Sequence, residues 1–218
     1  YNSAVLLTTD GSTQRYDKMA LTPFGEWMPY VDAISALNDW VRSFAGAAQL
    51  ADLEAGAEPV SLKVNSRQES QADFSIGTPI CFEAAMPSVV RNLTWVNGYR
   101  NADVLISLSN DGWFGSDYAA RLQHNREARL RCIENRTPMV RAANTGVSSV
   151  IRQNGDIEYA MVGGQLAIDV PAIFTSTVGH GINRPFSVFI GDSIAWCSLI
   201  GSILLIVSSY LKRSSSDG

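Results

Sequence analysis

Two strand-length apolar runs, residues 74–80 and 104–108, flank a stretch of helical spacing at 87–99, and this order constrains the fold more than any other feature. A continuous apolar run of that length suits a strand buried on both faces, and a helix between two such runs is the crossover that parallel strands require. A further helix is expected over 118–135, with strands at 139–142, 148–152 and 166–170. Asn154-Gly155 is a hairpin signal within that last group, so the sheet must be mixed and the class is α/β. Nearer the start, residues 4–8 read as a strand closed by Asp10-Gly11, with 15–21 as its returning partner. Residues 23–29 form a Pro- and Gly-containing loop. Val31, Ile34, Leu37, Trp40, Val41 and Phe44 then recur at the spacing of an amphipathic helix. Residues 52–73 read as a polar surface excursion with an edge strand near 60–64.

Composition excludes several classes. A chain of 218 residues with 46% apolar residues can build a sizeable core, and a net charge of -4 with dispersed Lys and Arg does not describe a nucleic-acid binder. Three cysteines without CxxC spacing and two histidines argue against a disulfide framework or a metal site. The C-terminal part differs in kind: residues 194–211 are eighteen positions without a charge, 188–191 extend the apolar stretch, and Lys212 and Arg213 follow. The expected organisation is a domain at 1–187, a transmembrane helix at 188–211 and a cytoplasmic tail at 212–218, which places the domain on the opposite, in a bacterium periplasmic, face. The chain opens without an initiating Met or a signal peptide, so it is expected to begin inside a longer protein.

The candidate chemistry centres on Cys81, delivered by an apolar strand to a turn that carries Glu83. A packed core thiol is the alternative reading, since free Cys is among the most buried residue types. A nucleophilic thiol needs a group that favours the thiolate, a group that stabilises an oxyanion and a path for protons. Lys18 can place an ammonium beside it, and Glu26 and Glu83 can orient that lysine or the substrate. The loop after the second buried run, Ser107-Leu-Ser-Asn-Asp-Gly-Trp-Phe-Gly115, sits where ligands bind in α/β sheets; Asn110 and Asp111 can bond to backbone there, and Trp113 and Phe114 can wall an apolar pocket. Cys132 and Cys197 read as structural, His124 as a hydrogen-bonding residue on the helix of Cys132, and His180 has no assigned role.

Lys18 in RYDKMALTPFGEWMP, Cys81 in ICFE and the SNDGWFG loop occur in an order and spacing that resemble the nitrilase superfamily of carbon–nitrogen hydrolases. More narrowly they are similar to its membrane branch, the apolipoprotein N-acyltransferases; Gln123-His124 and the stretch from Arg141 to Gly146 also fit. The resemblance implies an αββα sandwich with a Glu-Lys-Cys triad, in which Cys81 is the nucleophile and Lys18 stabilises the tetrahedral oxyanion. Glu26 corresponds to a supporting glutamate and Glu83 to the acid that follows the cysteine. The family's general-base glutamate lies several tens of residues before the lysine, whereas seventeen residues precede Lys18 here. The chain expressed alone is therefore expected to be inactive. Phe82 stands where the family commonly has Tyr; it, Asn110, Trp113 and Phe114 are the substrate-binding candidates.

The reaction so implied takes an acyl chain from a phospholipid onto Cys81 as a thioester and passes it to the N-terminal amine of a diacylglyceryl-modified apolipoprotein. It needs no metal or organic cofactor and takes place at the bacterial inner membrane. Two other readings stay open at this point: a membrane-tethered amidase or nitrilase with water as acceptor, and a non-catalytic module that binds lipoproteins.

Overall fold

A computed structural model describes residues 1–23, 25–27, 53–65, 73–181 and 183–216, with side chains through residue 209. It divides into a unit at Tyr1–Arg184 and a second at Pro185–Gly218. The first unit begins with β1 (Ser3–Leu7) and β2 (Thr13–Asp17), an antiparallel hairpin in which Ala4 pairs with Tyr16. Both of these side chains are buried, whereas Val5 and Leu7 on the opposite face are exposed, the period-two division of a half-buried ribbon. The turn is closed by Gly11 N–H donating to Thr8 O, with Gly11 at φ +85°, where a side chain would be strained.

Among the described residues the main sheet has six strands: β3 (Leu62–Val64), β4 (Phe74–Gly77), β7 (Val104–Ser109), β8 (Met139–Ala143), β9 (Ser149–Ile151) and β10 (Ile157–Tyr159). In space they run β10-β9-β8-β7-β4-β3; β4, β7 and β8 are parallel and the outer strands antiparallel, so the mixed sheet expected from the sequence is present. The crossovers are α1 (Pro87–Thr94), between β4 and β7, and α2 (Tyr118–Asn135), between β7 and β8. The side chain of Asp117 caps α2 by accepting from Ala120 N–H, which is why that helix begins where it does.

Burial on both sides explains the uninterrupted apolar runs. Leu105 lies in a cluster with Ala84, Val90, Ala128, Cys132, Met139 and Ile151, the side covered by α1 and α2. Its neighbours Val104 and Ile106 pack against a second cluster, Ala4, Tyr16, Leu62, Ile76, Ile80, Val89 and Leu93, where the hairpin and α1 meet the sheet. The hairpin is also tied to the sheet's rim by one amide: Gln14 Nε2 donates to Lys63 O and Lys63 N–H donates to Gln14 Oε1, both at 2.7 Å.

Several expectations are corrected. The helix expected over 87–99 ends at Thr94, and β5 (Trp95–Val96) and β6 (Tyr99–Arg100) form a hairpin around Asn97 and Gly98, at φ +50° and +83°. Asn-Gly accepts that geometry readily and overrides the helical spacing. The strand expected over 166–170 shrinks to β12 (Gln165–Leu166), paired with β11 (Met161–Val162) across Gly163 and Gly164. The edge strand near 60–64 is β3. The amphipathic helix expected over 31–44 lies outside the described residues.

In the second unit, the single helix expected over 188–211 is two, α3 (Phe186–Ile190) and α4 (Ser193–Ser216), separated by Gly191 at φ +54°, a conformation that ends a helix. Among the described residues no helix is long and apolar enough to cross a membrane, so the transmembrane expectation is not met there. Serines at 198, 202, 208 and 209 dilute the apolar run of α4, although Ile194, Trp196 and Ile203 to Val207 are exposed along it.

Candidate active site

Beyond β4 the chain stays extended through Ile80, which bridges to Leu108 of β7, and then turns into a 3-10 helix, Cys81–Ala85. Cys81, the first residue of that turn, has φ +52°. For a residue with a Cβ this conformation costs roughly 1–3 kcal/mol and persists only where its surroundings impose it. The half-buried thiol belongs to the wall of a cavity of about 400 Å³, shared with Asn2, Thr22 and Glu26 on one side and Leu108, Asn110 and Trp113 on the other. Cys81 is thus a strained, partly buried residue at a cavity, packed against the core cluster of Ile80 and Tyr16 without being enclosed by it. Cys132 is the core thiol: it is completely buried, and burial pushes its pKa up.

Lys18 follows β2 directly and is 1% exposed. Its Nζ donates to Glu26 Oε2 at 2.5 Å and to Thr22 Oγ1 at 3.3 Å. Glu26 also accepts from Thr22 N–H at 2.7 Å and from Asn2 Nδ2 at 2.8 Å. Burial alone would raise its pKa, but Lys18, the Thr22 amide and Asn2 together lower it, so Glu26 is an ionised partner for the ammonium; of the two, Glu26 lines the cavity and Lys18 does not. Asn2, which sequence reasoning did not single out, fixes both sides of this pair, since its carbonyl also accepts from Lys18 N–H at 2.8 Å.

Glu83 has a different place from the one expected. It is fully buried, and its carboxylate accepts from Met19 N–H at 2.8 Å, Ala20 N–H at 3.0 Å, Ile80 N–H at 2.8 Å and the Tyr16 hydroxyl at 3.0 Å. It orients neither lysine nor substrate through its own oxygens; it fastens the segment after Lys18 to the turn that carries Cys81. Burial raises its pKa against these four hydrogen bonds, which pull it down.

Beneath the thiol lies a buried polar network that the sequence did not reveal. Asp111, in the 3-10 turn Asp111–Phe114, accepts from Ser109 Oγ at 2.6 Å and from Arg141 Nη2 at 2.9 and 3.0 Å, and lies 3.0 Å from His124 Nδ1. The other ring nitrogen of His124 is 3.3 Å from Cys81 O. Gly146 completes the enclosure, because a Cβ there would come within 1.9 Å of the Asp111 carboxylate. Arg121 donates to Thr145 O at 2.8 Å, to Gly115 O and to Asp169 Oδ2 at 2.6 Å, and so anchors the end of the Trp113 loop. A signal for these residues does exist: Arg121, His124, Asn125, Ala128, Arg131, Cys132 and Asn135 recur at helical spacing and form the buried face of α2. That face is polar, so a search for apolar periodicity passes over it.

Of the four substrate-binding candidates, Asn110 and Trp113 line the cavity and Phe82 and Phe114 do not. Phe82 is exposed, and Phe114 packs edge-on against His124 with ring centroids 5.7 Å apart.

Burial raises and the Asp111 partners lower its pKa, with the partners dominant, so the group sits well below the usual carboxylate range. A depressed folded-state pKa gives stability that is present above the unfolded value near 4 and lost as pH falls through the folded value. The urea midpoint is therefore expected to drop between pH 6 and pH 3 more in the wild type than in Asp111→Asn, which lacks this titration. Glu83 contributes with the opposite sign in both proteins and cancels in the comparison.

The carbon–nitrogen hydrolase family model matches residues 1–177. The chain is 31% identical over 214 residues to the apolipoprotein N-acyltransferase of Geobacter metallireducens, covering 98% of this chain and 37% of that protein. It is 38% identical over 149 residues to the apolipoprotein N-acyltransferase of Chlorobaculum tepidum, covering 68% and 26%. It thus spans well under half the length of the curated relatives it matches. Among solved structures it resembles a carbon–nitrogen hydrolase superfamily protein of Xanthomonas campestris, with 21% identity, a TM-score of 0.45 and coverage of 72% of this chain and 51% of that one.

Proposed function

The chain belongs to the carbon–nitrogen hydrolase family and has its nitrilase-like α/β fold with a mixed sheet, and from this we propose that it is the acyl-transfer part of a lipoprotein N-acyltransferase. The observation that carries the reading is Cys81, held at φ +52° on the wall of a cavity that also contains the acid of the buried Lys18–Glu26 pair. The names of the relatives support the class of acceptor.

In the first half of the reaction the Cys81 thiolate attacks the ester carbonyl of a phospholipid. A C–S bond forms, the ester C–O bond breaks, and the lysophospholipid leaves as an alcohol after taking up a proton. In the second half the N-terminal amine of a diacylglyceryl-modified lipoprotein attacks the thioester; the amide C–N bond forms, the C–S bond breaks, and the proton lost by the amine passes to the departing sulfur, which returns as the thiol. Lys18 supplies positive charge for the oxyanion of each tetrahedral intermediate, and Glu26 keeps that ammonium in place. Leu108 and Trp113 give the cavity an apolar wall suited to an acyl chain. Glu26 is committed to Lys18 and so is not free to act as the base. We accordingly expect no turnover from these 218 residues alone. A location at the inner membrane, with residues 1–187 on the periplasmic side, is consistent with both substrates carrying lipid.

The test is incubation of the full-length protein with a phospholipid labelled in its acyl chain and a lipoprotein bearing a free N-terminal amine. Label in the lipoprotein, with a labelled thioester on Cys81 trapped when the acceptor is withheld, is the expected result. Released labelled fatty acid with an unlabelled lipoprotein would mean a hydrolase. A Cys81 that never carries label would overturn the acyl-enzyme reading.

A further inference from the structure

The conformation of Cys81 is imposed from both sides of its Cα. The peptide before it is held by Glu83 N–H, which donates to Ile80 O at 3.2 Å. The peptide after it is met by His124 Nε2, 3.3 Å from Cys81 O. A carbonyl oxygen only accepts, so this contact is a hydrogen bond when Nε2 carries a proton. On the far side of the ring, Nδ1 lies 3.0 Å from Asp111 Oδ1 and 3.0 Å from Arg141 Nη2. A neutral ring can take the Arg141 N–H at Nδ1, and a charged ring can donate from Nδ1 to Asp111. Both carry a proton on Nε2 directed at Cys81, whereas a neutral ring protonated on Nδ1 would set the Nε2 lone pair against the lone pairs of Cys81 O, an unfavourable contact at 3.3 Å.

We propose that His124 is a positioning residue for the nucleophile: oriented by Asp111 and Arg141, its Nε2–H holds the Cys81 carbonyl and keeps the thiol directed into the cavity. The proposal rests on the reading of Cys81 as the nucleophile. His124 touches no reacting atom in this scheme. It comes from α2, an element that contributes nothing to the cavity wall itself, and it acts through the backbone of the residue it positions. The imidazole is 5% exposed, and the edge of Phe114 closes one side, so water does not readily replace a lost donor.

The measurement is the rate of alkylation of Cys81 by iodoacetamide across pH 5–10 in the full-length protein, followed by mass spectrometry of the Cys81 peptide. Cys132, wholly buried, reports on folding in the same digest. His124→Phe keeps an aromatic ring and removes the donor, and is expected to slow alkylation by about tenfold with Cys132 still protected, the scale of one lost buried hydrogen bond. His124→Gln, whose amide N–H reaches the place of Nε2, should restore most of the rate. His124→Asn, whose amide reaches only to Nδ1, should not. A folded His124→Phe protein with the wild-type pH profile, or equal rates in the Gln and Asn variants, overturns the proposal. If His124→Phe exposes Cys132, the Gln and Asn pair alone decides between the same two outcomes. A wild-type Cys81 that reacts no faster than a free thiol would instead sink the nucleophile reading, which separates that failure from failure of the role given to His124.

Discussion

Cys81→Ala in the full-length protein is expected to abolish both thioester formation and acyl transfer, a loss of at least about a thousandfold, because the acyl-enzyme cannot form without the sulfur. Loss of activity alone would not separate chemistry from folding, so stability must be measured beside it. Alanine inherits φ +52° and with it the strain, and loses a thiol that is only half buried; its urea midpoint should stay near that of the wild type. Cys81→Gly should be equally inactive yet more stable than the alanine variant by about 1 kcal/mol, since glycine adopts a positive φ without a Cβ clash. An inactive protein gaining stability at its central residue would show strain maintained for a purpose other than folding. A glycine variant less stable than the alanine variant would remove that interpretation, and residual acyl transfer in either would remove the thioester.

The largest loss of stability is expected from Arg141→Leu. Arg141 and Asp111 have side chains with no exposure to solvent, and each is the other's main countercharge. Leaving the carboxylate buried without its cation costs about 3–5 kcal/mol, a large part of the 5–15 kcal/mol that keeps a domain folded. At this chain length that corresponds to a fall in melting temperature of about 10 °C. The double variant Arg141→Leu with Asp111→Leu should recover much of the loss, because an apolar pair leaves no uncompensated charge behind. The exposed pair Arg15–Asp17 at 2.6 Å is the control: with Arg15 51% exposed, Arg15→Leu should change stability by less than about 1 kcal/mol. Melting of the three single and double variants by calorimetry decides the matter, and equal effects for Arg141 and Arg15 would contradict it.

What could be read in the sequence follows from the range of the forces involved. The helix over 118–135 was legible to the residue because its start is a local event, the Asp117 cap, and its body has no glycine or proline. The parallel pair β4 and β7 was legible because burial on both faces leaves an uninterrupted apolar run. Residues 95–99 depart from the expected helix because the Asn97-Gly98 turn, and not the apolar spacing, sets the backbone there. The motifs single out Cys81 and Lys18 as candidates but say nothing of their surroundings. Asp111, His124 and Arg141 come from three separate elements, and no property of one forecasts that it is neutralised by the others. Glu83 shows the same limit in reverse. Two positions from the thiol it resembled a working acid, and the 3-10 turn carries it into the interior, where four donors occupy it.

The amide of Gln14 has a further effect. β3 has three residues, and in an antiparallel ladder the residues next to each other point their main-chain groups in opposite directions. With β4 on one side, Lys63 is the residue whose N–H and C=O face outward, and Gln14 takes both. A side chain thus stands where another strand would dock. Sheets commonly protect such rims with charge, proline or a bulge. Here one glutamine leaves an incoming chain no open bonds on β3 to extend, so two copies of this sheet cannot join through that strand into a continuous ribbon without first breaking the Gln14 contacts.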